Sequence, residues 1–166
     1  MTIHLQPIGV VDQDVLNFLK LRLSALWAVV ENSPVEVPDD AYNGFRNQYE
    51  GLKALISIPD MDEPVLGIID QDIFAENLNF IFGIASGNRA LISLRRLRPE
   101  FYGGQKDQEL FHLRALKEAM HELGHVFGLK HCSDPGCVMH FSNSIEDTDI
   151  KDWRYCRWCG GSPPGV

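Results

Sequence analysis

The chain is poor in positive charge, in cysteine and in long apolar runs, and each shortage excludes something. No run approaches the roughly eighteen apolar residues that a membrane span needs, so no membrane partner is expected. Lys and Arg number 15 against 23 Asp and Glu, a formal charge of −8. Nucleic acid and acidic membrane surfaces are poor partners for such a chain. The four cysteines all lie between Cys132 and Cys159. A disulfide framework spreads over the chain it staples, so this clustering points to a metal site, with two disulfides as the alternative. Near the N-terminus, Ile3-His4-Leu5-Gln6-Pro7 lacks the basic-then-apolar pattern of a secretory signal, which argues against one unless it was removed. The expected location is therefore cytoplasmic. There are no internal repeats, and 166 residues suit a single domain, expected as a monomer.

What is present is an ordered succession of periodic segments. Ile3 to Val11 suggests a strand, made imperfect or placed near an edge by Pro7. Asp12 suits an N-cap, and Val15, Leu16, Leu19, Leu23 and Leu26 then recur at helical spacing. Trp27 to Val30 fits a second strand, and Asp39 to the residues before Pro59 a second helix through Phe45, Tyr49, Leu52 and Leu55. Val65 to Ile69, apolar throughout, suggests a strand buried on both faces. Leu78 to Ala85 and Arg89 to Leu97 flank a tight turn and suggest a hairpin. A long helix follows, from about Asp107 to Phe127, and a shorter one is expected over Asp149 to Tyr155. Strands preceding one long helix predict an α+β fold, a twisted mixed five-stranded sheet with helices packed on it.

The long helix carries His121, Glu122 and His125 as H-E-x-x-H, which Gly128 and His131 extend to H-E-x-x-H-x-x-G-x-x-H. Histidines at i and i+4 share one helix face and can hold one zinc ion. Arg114, Glu118, His121 and His125 form a polar line, while Leu116, Met120 and Leu123 on one side and Phe111, Ala115 and Ala119 on the other are apolar. The helix thus reads as buried nearly all round and open along the line that holds both histidines. Gly128 predicts a left-handed turn that lets His131 double back as third ligand. Three neutral imidazoles leave zinc its full charge and an open position, where a water has its pKa lowered toward neutrality. Glu122 then serves as general base, taking the proton as the water attacks a carbonyl and passing it to the leaving amine. No further electrophile has a spacing argument; Tyr42, Tyr49, Tyr102 and His140 are bare candidates.

Cys132-x4-Cys137 and Cys156-x2-Cys159 form two knuckles, which approximates a closed, structural four-cysteine zinc site. Because Cys132 follows His131, the second metal is expected to anchor the loop that delivers the third histidine to the first. The acidic pair Asp70 and Asp72, and the run Glu146, Asp147 and Asp149, fit turn and cap roles better than binding of a cation or substrate amine.

The extended histidine motif with a later methionine resembles the metzincin metalloproteases. Cysteine directly after the third histidine, then Cys137-Val138-Met139 and Cys156-Arg157-Trp158-Cys159, resembles one branch, the archaemetzincins. Pro7-Ile8-Gly9, Ala41-Tyr42-Asn43 and Asn79 to Gly83 extend the resemblance over nearly the whole chain. It implies a metzincin-like zincin fold: an upper subdomain over 1–128 with the active-site helix, an irregular lower lobe over 129–159, and a flexible tail over 160–166. It further implies that Met139 packs beneath the metal as a Met-turn and that Leu78 to Ala85 rims the cleft. The expected function is a zinc metallopeptidase with two zinc ions per chain and a peptide or protein substrate. The alternatives are a zinc-stabilised binding protein and a zinc amidase acting on small substrates.

Overall fold

β1 (Thr2–Ile8) is the first strand of a five-stranded sheet, and the computed structural model describes residues 1–163. α1 (Gln13–Leu23) follows, capped by Asp12, whose side chain accepts the Asp14 amide at 3.0 Å. It buries Val15, Leu16, Leu19 and Leu23, the face that the spacing predicted. β2 (Ala28–Glu31) pairs in parallel with β1. Pro7 does not put β1 at an edge, because β1 lies between β2 and β5 (Val65–Ile69). The pairing with β2 ends at Leu5 and Glu31, so the missing donor of Pro7 falls beyond the end of its neighbour, and the Pro7 carbonyl accepts from Val35 N at 3.0 Å.

The expected second helix is mostly absent. Asp39–Ala41 is a single 3-10 turn, followed by β3 (Tyr42–Asn43) and β4 (Gln48–Glu50). Only α2 (Gly51–Ile56) is helical. β3, β4 and β6 (Ile73–Phe74) form a separate three-stranded sheet. Arg46 explains part of the outcome: it bonds the carbonyls of Leu78 and Asn79 at 2.7 and 3.0 Å and lies over the Phe74 ring, contacts that a helix through this stretch would break. β7 (Gly83–Ser86) and β8 (Arg89–Ser93) make the expected hairpin, both shorter than the apolar runs suggested. The large sheet runs β2-β1-β5-β8-β7, parallel except for β7, which forms one edge.

α3 (Gln108–Val126) packs across this sheet and α1. Ile3, Leu5, Leu66, Ile68 and Ile92 from the strands meet Leu16 and Leu19 of α1 and Leu116, Met120 and Leu123 of α3 in one core. At ~25 cal/mol per Å² of apolar surface, burying each such side chain contributes about 1.5–3 kcal/mol. Gly128 ends the helix at φ +87°, as expected. The short helix comes earlier than expected, as α4 (Ile145–Ile150). Of the expected tail, Gly160 and Gly161 take φ +96° and +68°, whereas residues 164–166 lie outside the described residues. No described helix is long and apolar enough to cross a membrane.

Candidate metal centres and cleft

The last two turns of α3 place His121 and His125 side by side, and the turn at Gly128 returns the chain so that His131 closes on both. Their ring centroids lie 4.7, 5.4 and 4.8 Å apart. His121 Nδ1 donates to the Val138 carbonyl at 2.7 Å and His125 Nδ1 to the Leu129 carbonyl at 2.9 Å. These bonds place the protons on Nδ1, so the two Nε2 lone pairs face each other at 3.1 Å. Such an arrangement repels itself unless a cation sits between the rings. Burial holds His121 well below its ordinary pKa, aided by the Lys151 charge, and lowers His131 in the same way. His121 and His131 are therefore supplied as neutral imidazoles, the form a metal requires.

Glu122 is buried beside them. Burial pushes its carboxyl well above the usual range, Glu118 adds to the rise and Lys151 opposes it. A dication at the histidines favours the charged form, so the group fits a carboxylate whose basicity a metal tunes. Gly83 makes room for it: a Cβ there would stand 2.5 Å from Glu122 Oε1. Gly124 does the same on the next face, where a Cβ would collide with Met139 Sδ. A glycine inside a helix costs about 1 kcal/mol relative to alanine, and this close approach of the fully buried Met139 is its reason.

The four cysteines are unbridged thiols whose sulfurs converge, Cys132 Sγ 3.8 Å from Cys156 Sγ and Cys137 Sγ 3.8 Å from Cys159 Sγ. Burial raises the Cys137 thiol, and burial together with the neighbouring thiols raises Cys159. Crowded thiols of this kind ionise most readily around a cation. Within each group, the histidines and the cysteines, the ligand atoms lie within 4.8 Å of one another and could hold a metal ion. The two groups meet in sequence at His131-Cys132, and Cys132 is tied back to the Met139–His140 turn. Cys132 N donates to Met139 O at 3.0 Å, and His140 Nδ1 donates to Cys132 O at 2.9 Å.

A cleft of about 180 Å³ opens in front of Glu122, between Leu78–Gly83 above and Phe141–Asn143 below, with Glu118 and His121 in its floor. The segment Leu78–Phe82, expected as strand, is strand-like only at its end, where Ile81 N donates to Ile73 O at 3.0 Å and Ser93 N to Phe82 O at 2.8 Å. Before that, Arg46 bonds Leu78 and Asn79, Gln48 Nε2 donates to Asn79 O at 2.9 Å, and Arg96 covers the Phe80 ring. None of Tyr42, Tyr49, Tyr102 and His140 lines this cleft. Tyr42 and Tyr102 spend their hydroxyls on Asn47 and on the Arg96 carbonyl. Asp72 and Asp70 chelate Arg96 and Arg98, and Asp149 chelates Arg114, so these carboxylates bind side chains, and Asp147 caps Asn143 N at 2.9 Å. A larger cavity of about 600 Å³ beside Tyr49 and Arg95 holds neither metal-binding group. Donor chemistry, rather than volume, marks the site. The sequence also concealed Lys151, which is 1% exposed and paired with Glu118 at 3.2 Å. A polar line on α3 that continued past the histidines to Glu118 was its only signal.

Comparison with known proteins agrees with this chemistry. Residues 36–162 match the model of peptidase family M54. The archaemetzincin of Methanocaldococcus jannaschii is 50% identical over 162 residues, 96% of this chain and 90% of that protein. The archaemetzincin of Pyrococcus horikoshii is 62% identical over 162 residues, 89% of this chain and 86% of the relative. The crystal structure of the archaemetzincin of Archaeoglobus fulgidus, complexed with malonate, superposes with a TM-score of 0.87 at 38% identity, covering 96% of this chain and 98% of that one. With the match spanning most of the chain and the mixed α+β fold shared with these structures, the chain belongs to peptidase family M54, the archaemetzincins, which are zinc metallopeptidases.

Proposed function

We propose that His121, His125 and His131 hold a catalytic zinc, that Cys132, Cys137, Cys156 and Cys159 hold a second, structural one, and that Glu122 is the general base for peptide hydrolysis. The opposed Nε2 atoms at 3.1 Å carry the first assignment, since a metal cation between them would relieve their repulsion and use both lone pairs. When bound, the histidine zinc supplies a Lewis acid that polarises the scissile carbonyl and acidifies the attacking water. Glu122 accepts the proton of that water on a carboxylate oxygen and returns it to the leaving nitrogen. Its position against Gly83 fixes the carboxylate with little freedom to swing away. The free edge of β7 suits an extended peptide, which can add as a further strand while its scissile bond lies over α3. The chain divides in this reading into an upper subdomain over 1–128 and a lower lobe over 129–159 that brings His131, Met139 as a packing Met-turn residue, and the lower cleft rim. A monomer suffices, because every proposed ligand comes from one chain.

The test is peptide hydrolysis by wild type and Glu122→Ala at equal zinc content. A loss of about 10²–10⁴-fold with zinc retained supports Glu122 as base. Equal residual rates in both proteins sink that role.

A further inference from the structure

Glu118 lies one helical turn before Glu122, in the floor of the cleft, and is 2% exposed. Thr148 Oγ1 donates to Glu118 Oε1 at 3.1 Å and lies 3.0 Å from Ser142 Oγ, itself on the lower rim. Lys151 Nζ approaches the same Oε1 at 3.2 Å from behind, and also reaches the His140 carbonyl at 3.4 Å. A buried charge pair costs desolvation energy that its attraction often fails to recover, and an apolar pair frequently serves stability as well. The cleft walls above this floor carry the apolar Leu78, Phe80, Phe82 and Phe141 together with the polar Asn79, Ser142 and Asn143. A side chain entering beside the catalytic base therefore packs its stem against aromatic and aliphatic groups and meets a carboxylate whose charge is already balanced from behind.

We infer that Glu118 and Lys151 together set substrate preference, with the pocket taking a neutral side chain that has an apolar stem and a hydrogen-bond donor at its tip. Tyrosine and glutamine fit this description. Phenylalanine brings no further donor to the floor carboxylate, glutamate meets it with like charge, and lysine adds a second cation to a carboxylate already balanced by Lys151. The inference rests on the peptidase reading above.

The experiment is cleavage of a peptide mixture, varied at each residue flanking the scissile bond and read by mass spectrometry, with wild type, Glu118→Gln and Lys151→Met. At one flanking position wild type should prefer tyrosine over phenylalanine by about tenfold. Glu118→Gln leaves Lys151 unbalanced and should shift the preference toward acidic residues, while Lys151→Met should shift it toward lysine and arginine. Where a single variant fails to fold, the reversed pair Glu118→Lys with Lys151→Glu keeps the balance, and should favour side chains tipped by an acceptor. A pair that serves only as a strut lowers the melting temperature and slows all peptides alike, which overturns the inference while leaving the peptidase reading intact. Failure of wild type to cut any peptide with both zinc ions bound overturns that reading and the inference with it.

Discussion

Two regions of this molecule are built on different physics. The part over Thr2–Val126 is a five-stranded and a three-stranded sheet with three α-helices, closed by aliphatic side chains such as Leu5, Leu66, Ile68 and Leu123 that are entirely buried. The segment from Leu129 to Cys159 has one six-residue helix and one 3-10 turn. Cys137, Val138, Met139, Ile145 and Tyr155 join the main core against α3, and buried polar contacts add to the attachment. Arg114 grips Asp149 with two bonds of 2.7 Å, Lys117 Nζ caps the Thr148 and Asp149 carbonyls at 3.0 and 3.1 Å, and Lys151 meets Glu118. Tyr155 adds a hydroxyl bond to the Met120 carbonyl at 2.7 Å. Such pairs fix geometry but contribute little net stability, because desolvation offsets their attraction. The difference points to where the proposed structural metal would act. The upper part is closed by a continuous apolar core. The lower segment, which brings the third histidine and one cleft rim, adds those five side chains to that core and has the thiol quartet as a further anchor.

The sharpest way to break this contrast is Cys156→Ser. Structural zinc sites of this kind carry about 10 kcal/mol of binding energy. Hydrogen exchange should show protection retained at Leu66, Ile68 and Ile92 and lost from Leu129 to Cys159, with activity and the histidine metal lost too. Uniform loss of protection would merge the two regions into one.

A smaller effect concerns pH. In metal-free protein His121 takes its proton well below the ordinary 6.5, so the unfolded chain protonates first and the stability from neutral His121 drains away as pH falls below 6.5. Glu122 runs oppositely: its folded pKa lies well above the ordinary 4.5, so its contribution is present below 4.5 and is lost as pH rises toward the folded value. Between those two values the effects oppose each other, each with a slope of at most about 1.4 kcal/mol per pH unit. Melting temperatures of metal-free Glu122→Gln should therefore fall more steeply on acidification than those of wild type. Parallel curves would contradict the burial of one group or the other.

The smallest effect lies at the seam. Gly124→Ala gains about 1 kcal/mol of helix propensity but drives a methyl into Met139 and Tyr155, which costs about 1–3 kcal/mol. A net drop in melting temperature is expected, and a rise would show that Met139 can retreat freely.

The contrast also explains what the sequence disclosed. Metal ligands are recognisable one residue at a time, and His121, His125, His131 and the cysteines came together as their spacing implied. The strands of the large sheet, buried on both faces or alternating in hairpin fashion, were equally legible from apolar runs. Short structures were not. β3, β4 and β6 hold two or three residues each, too few for any period to register. Leu78–Phe82 has a strand's composition, but Arg46 and Gln48 take its carbonyls, a choice made by residues some thirty positions away. Lys117 and Lys151 look like solvated charges in sequence, and only the return of the chain onto α3 buries them.

Metal content per chain tests the central claim most directly. Purified protein should carry two zinc ions, one released by a mild chelator at neutral pH with loss of peptidase activity, the other retained until the segment Leu129–Cys159 loses its exchange protection. A single zinc ion, or two that leave together while that segment stays protected, would contradict the account.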